Sequence, residues 1–110
     1  MCFFRKKGYK KMLESHEEVV DNPRNLEATL AYVNDKETVR KEIEEVLRLL
    51  KYEVGPSKDK DANKIDHKIA NKIGDLKIVL TRDKDDSETK ALEILNLIKI
   101  DVAERKVYSK

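Results

Sequence analysis

Apolar residues recur along this chain at the spacing of a helix, three or four apart, and no segment alternates polar and apolar as a half-buried strand would. Tyr9, Met12, Leu13, His16, Val19 and Val20 share one face of a helix over about 9–20. Asp21-Asn22-Pro23 ends it, because the residue before a proline disfavours helical geometry. Asn22 is then suited to cap the next helix, with Pro23 at its first position. That helix carries Leu26, Leu30 and Val33. The following stripe of Val39, Ile43, Val46, Leu47, Leu50 and Val54 is out of phase with it, and the jump falls at Asn34-Asp35. Asn34 with Glu37 forms the pattern of a capping box, so a break or kink is predicted near residue 34. Gly55-Pro56-Ser57 ends the third helix, and a charged loop follows over Lys58-Asp59-Lys60-Asp61.

A fourth helix is predicted from about Asp61 to Arg82, on the stripe Ala62, Ile65, Ile69, Ile73, Leu76 and Leu80. Residues 83–87 form a polar turn in which Asp86 or Ser87 caps a fifth helix, from about Glu88 to Lys106. The main face of that helix is Ala91, Ile94, Leu95, Ile98 and Val102, while Leu92, Leu97 and Ile100 add apolar groups on other sides. A helix apolar on most sides lies centrally in a bundle or at a subunit contact. The predicted fold is therefore all-α: a compact bundle of four to five amphipathic helices, mostly antiparallel and up-and-down because the connections are short. Residues 1–8 form a flexible basic and aromatic tail, and residues 9–106 a single domain.

Composition narrows the function more than it identifies it. At 110 residues the chain suits one domain. With 42% charged residues, it folds only if its apolar positions are organised into faces. The 24 Lys and Arg nearly balance the 22 Asp and Glu, for a net charge of +2. That balance leaves no whole-molecule field to draw in nucleic acid or an acidic membrane. The lone cysteine, Cys2, excludes an intrachain disulfide and fits a reducing compartment. No apolar run approaches the ~20 residues of a membrane span, and the N-terminus lacks the apolar stretch of a signal peptide. The expected location is cytoplasmic, and the Lys, Ile and Asn usage suggests a bacterial source.

Candidate chemistry is sparse. His16 lies amid an apolar face, where a packed histidine is the simpler account, and His67 falls opposite Ile65, Ile69 and Ile73. One cysteine and two separated histidines do not make a zinc site. A helical di-metal site needs Glu three residues before each histidine, but Leu13 and Lys64 stand there. Asp59, Asp61 and Asn63 open like a calcium loop, yet Lys64 and Ala70 occupy its glycine and glutamate positions. There is no phosphate-binding glycine loop and no recognisable nucleophile context, Cys2 beside Arg5, Lys6 and Lys7 included. No catalytic, cofactor or metal residue is assigned, and a non-enzymatic protein without a cofactor is expected.

Three surfaces remain. Ile69-Ala70-Asn71-Lys72-Ile73-Gly74-Asp75-Leu76 resembles the helix-turn-helix of bacterial regulators over about residues 61–82, with Ala70 and Gly74 at that family's alanine and turn-glycine spacing. The resemblance implies DNA binding. It departs from the family pattern at Asp75 and Asp83, which stand where apolar residues are buried. The apolar stripe also runs through Gly74 without a break. A mid-helix glycine costs about 1 kcal/mol against alanine, less than burying a lone carboxylate, so a straight helix is predicted. On the same segment Lys60, Lys64, Lys68 and Lys72 repeat every four residues as a possible contact for nucleic acid or another anion. Interspersed aspartates and the lack of an aromatic favour a solvated face instead. Finally, Phe3, Phe4, Arg5, Lys6 and Lys7 are suited to a membrane surface or a partner. The reading carried forward is a protein–protein interaction module, possibly self-associating, with Ile94, Leu97 and Ile100 as its interface. DNA binding through residues 61–82 ranks second, and a membrane-surface module third.

Overall fold

The computed structural model describes residues 22–82 and 84–109. The predicted helix over 9–20 with His16, the 1–8 tail, Cys2 and the Phe3–Lys7 cluster lie outside the described residues. Those described form four α-helices and one short 3₁₀ turn, with no strand among them. They are α1 (Asn22–Ala28), the 3₁₀ turn Thr29–Tyr32, α2 (Glu37–Tyr52), α3 (Lys60–Arg82) and α4 (Ser87–Lys106).

The phase jump near residue 34 is a real break. After the 3₁₀ turn, the amide of Lys36 donates to the carbonyl of Val33 at 3.0 Å, so the chain turns once more before α2 begins at Glu37. This corrects the capping-box expectation: Lys36 holds the N-cap position and no side chain caps it. Asn34 would cap a helix starting two residues earlier, where the Val33–Lys36 turn stands instead. The shift lets Val33 and Val39 both bury completely. At the other end, α2 stops at Tyr52, and the amides of Glu53 and Val54 both donate to the Leu49 carbonyl. The chain then passes through Gly55-Pro56-Ser57 without continuing the helix.

Helix α3 runs for 23 residues without interruption and passes straight through Gly74. The turn required by the helix-turn-helix resemblance is therefore absent at that position. Asp75 is exposed, so the carboxylate that a turn would bury stays in water. Ala62, Ile65, Ile69, Ile73, Leu76 and Leu80 are all buried, as their spacing requires. Between α3 and α4 the amide of Ser87 donates to the Lys84 carbonyl, and the amide of Lys84 donates to Ser87 Oγ. Asp86 stands at the N-cap but makes no cap bond with its side chain, which pairs instead with Lys90.

Helix α4 packs chiefly along α3 and, on a second side, along α2, while α1 bridges α2 and α3. Ala91, Leu95, Ile98 and Val102 of α4 are fully buried among Ile43, Val46, Ile69 and Leu76 and the rest of one continuous core. Each such aliphatic side chain contributes roughly 1.5–3 kcal/mol through removal from water, which makes this burial the main source of stability. No described helix is long and apolar enough to cross a membrane.

Two substitutions separate the core from the surface of α3. A Cβ added at Gly74 meets nothing within 4 Å, so Gly74→Ala is expected to raise the unfolding free energy by about 0.5–1 kcal/mol. Leu76→Ala, at a fully buried position, is expected to lower it by about 2–5 kcal/mol. Urea denaturation measures both. A loss of stability in Gly74→Ala contradicts helical geometry at residue 74.

Candidate functional site

Helix α4 has apolar side chains on two opposed sides. At about 100° per residue, Leu95, Ile98 and Val102 face inward, while Leu97, Ile100 and Ala103 face outward. Leu97 is 50% and Ile100 62% exposed, and Val107, one residue past the helix on the same face, is 79% exposed. Ile94 does not belong with them. It is half-buried and packs against the core, because its position on the helix falls beside the inward face. The outward stripe is thus Leu97, Ile100 and Val107, and Val107 escaped the sequence reading because it follows the last residue of the periodic segment.

The lysine row is also divided. Lys60, Lys64 and Lys68 are exposed, whereas Lys72 is half-buried and ion-paired with Asp101 of α4. A repeat of four residues drifts by about 40° per step around a helix. By its fourth member the row has turned into the contact with α4. His67 is exposed. Among the described residues, no group of three or more His, Cys, Asp or Glu side chains is placed to hold a metal.

The most developed polar site is one that sequence reasoning missed. It lies at the end of the bundle where α1, the 53–59 connection, α3 and the last turn of α4 meet. Arg105, only 4% exposed, donates from Nε to Asp66 Oδ1 at 2.9 Å and from Nη2 to the Gly55 carbonyl at 2.8 Å. Asn22, 3% exposed, donates from Nδ2 to the main-chain carbonyl of Asp66 at 3.0 Å. This corrects its expected role as a helix cap, since its side chain is engaged across to α3. Two atoms in this buried group have no hydrogen-bond partner: Asn22 Oδ1 and Arg105 Nη1. Both residues line a cleft of about 400 Å³ whose walls include Pro23, Leu50, Val54 and Pro56.

Sequence reasoning placed Asp66 on a solvated face, but it is buried. It sits at the edge of the stripe, next to Ile65 and three residues from Ile69. Arg105 continues the inward series Ile98 and Val102, and an arginine in phase with a buried stripe was the signal available for it.

Burial raises the Asp66 carboxyl above the ordinary carboxylate range, because lost hydration outweighs the opposing effects of Arg105 and His67. At the exposed rim the reverse holds. Glu53 is held below its ordinary value by its hydrogen bond and charge pairing with Lys106, and then by Arg48.

These opposite directions give a test. With its folded-state pKa above the unfolded one, Asp66 binds its proton more readily in the native protein. Its contribution to stability is therefore greatest below the unfolded carboxylate range and declines as pH rises through the folded-state pKa. Asp66→Asn does not titrate. The stability of the native sequence relative to this variant is expected to rise as pH is lowered from neutral toward about 4, the ordinary range for aspartate, in urea denaturation at a series of pH values. A difference that falls on acidification shows that pairing with Arg105 outweighs burial.

In comparisons with known proteins, no family model matches the chain, and no curated protein or solved structure matches it significantly.

Proposed function

We propose that this chain is a non-enzymatic protein–protein interaction module that associates with a second copy of itself through the outward face of α4. The observation that carries the reading is the stripe of Leu97, Ile100 and Val107, each at least half exposed, on the side of α4 away from the core. No described helix packs over it. A helix with two opposed apolar faces has reason to bury both, since burial of each large aliphatic group stabilises by roughly 1.5–3 kcal/mol. The reading takes the helices as an antiparallel up-and-down bundle. It draws support from the pairs Asp66–Arg105 and Lys72–Asp101, in which the residue number rises along α3 as it falls along α4. It assumes the cytoplasm as compartment, in keeping with the single cysteine.

The alternative, DNA binding through residues 61–82, is less well supported. Gly74 lies inside a continuous helix, and Lys72 is engaged with Asp101.

Sedimentation velocity across the micromolar range is expected to show a monomer–dimer equilibrium for the full chain. Ile100→Glu, which puts a charge in the stripe and leaves the core untouched, is expected to weaken association at least tenfold, about 1.4 kcal/mol, with helical circular dichroism unchanged. A concentration-independent monomer overturns the proposal.

A further inference from the structure

The cleft beside Asp66 and Arg105 has features of a binding site for a small neutral group, separate from the outward face of α4. Buried polar groups in folded proteins are nearly always hydrogen-bonded, and leaving one unpaired costs about 1–3 kcal/mol. Here two unpaired atoms, Asn22 Oδ1 and Arg105 Nη1, belong to residues that line the same cleft. One is an acceptor only, and the other a donor only. Both residues are anchored on Asp66, Asn22 through its main-chain carbonyl and Arg105 through its carboxylate.

The electrostatics select the occupant. The charge of Arg105 is already matched by Asp66 at 2.9 Å, so an added anion would meet the Asp66 carboxylate and the lone pairs of Asn22 Oδ1. An added cation would meet the guanidinium. What complements the pair is an uncharged group that donates to Asn22 and accepts from Arg105. A single water or hydroxyl does both from one oxygen. However, the cleft of about 400 Å³ holds far more than one water, whose share of liquid volume is about 30 Å³. Its walls also carry the aliphatic surface of Pro23, Leu50, Val54 and Pro56. We infer that this cleft binds a neutral amide flanked by a small aliphatic group, the amide N–H donating to Asn22 Oδ1 and its carbonyl accepting from Arg105 Nη1. Such an amide is found in the main chain of an extended peptide or in a side-chain carboxamide.

The test is a titration of the full chain followed by nitrogen-15 NMR, observing the Asn22 side-chain amide and the Arg105 Nε–H. Four probes share one shape or chemistry: isobutyramide, N-acetylvalinamide, isobutanol and isobutyrate. The inference expects saturable shifts at both reporters with the two amides, and binding at least tenfold weaker for the alcohol and the carboxylate. Tighter binding of N-acetylvalinamide assigns a main-chain source, and tighter binding of isobutyramide a carboxamide side chain. Asn22→Leu is expected to abolish the shifts at Arg105. If that variant fails to fold, Ser57→Tyr fills the cleft without touching the Asn22, Asp66 or Arg105 contacts and is expected to give the same loss. No saturable shift with either amide, or equal responses to amide and alcohol, overturns the inference and leaves a cleft that holds water alone.

Discussion

Helix α4 must bury its inward face against two helices at once, and the remaining arrangement follows from that requirement. Leu95, Ile98 and Val102 find partners only if α2 and α3 lie side by side beneath them. The hydrophobic effect is roughly proportional to area and has no direction. It therefore drives this packing without choosing how far each helix slides along its neighbours. Polar contacts set that choice. Arg105 to Asp66 and Lys72 to Asp101 fasten α4 to α3, while Lys99 to Glu42 and Lys106 to Glu53 fasten it to α2 and the residue that follows it. The exposed pairs among these are worth little in stability, but all four are compatible with one axial position of α4.

The same position creates both surfaces of functional interest. Sharing α4 between α2 and α3 leaves its opposite side outward, which is why Leu97 and Ile100 remain half exposed or more. It also brings Arg105 to the bundle end, where it reaches Asp66 and the Gly55 carbonyl together. Ser109, just past the helix, accepts a hydrogen bond from the Gly55 amide and secures that connection from the other side. Replacing one partner of such a buried pair leaves an uncompensated charge and is strongly destabilising. The cleft and the packing of α4 are thus parts of one device.

Much of the fold was legible because helical periodicity is local. The stripe Ile65, Ile69, Ile73, Leu76 and Leu80 has its meaning within α3 alone, and it correctly outweighed the turn suggested by Ala70 and Gly74. The break before α2 was likewise visible as a loss of phase. What failed were readings that depended on which neighbour a side chain meets. Asn22 and the Asn34–Glu37 pair satisfied the local grammar of helix caps, yet one reaches across to α3 and the other is displaced by the Val33–Lys36 turn. Lys72 looked like part of a solvated row until its drift around the helix brought it to Asp101. Ile94 was grouped with Leu97 and Ile100, although helical rotation places it at the edge of the core.

The amino-acid order alone determined that the chain makes helices, where they break, and which stripe of each turns inward, because these depend on residues three or four apart. Only the tertiary structure decided that Asn22, Gly55, Asp66 and Arg105 converge, and that two of their polar atoms are left without partners. Those residues come from four separate segments, and their spacing in the chain carries no record of the helix positions that bring them together.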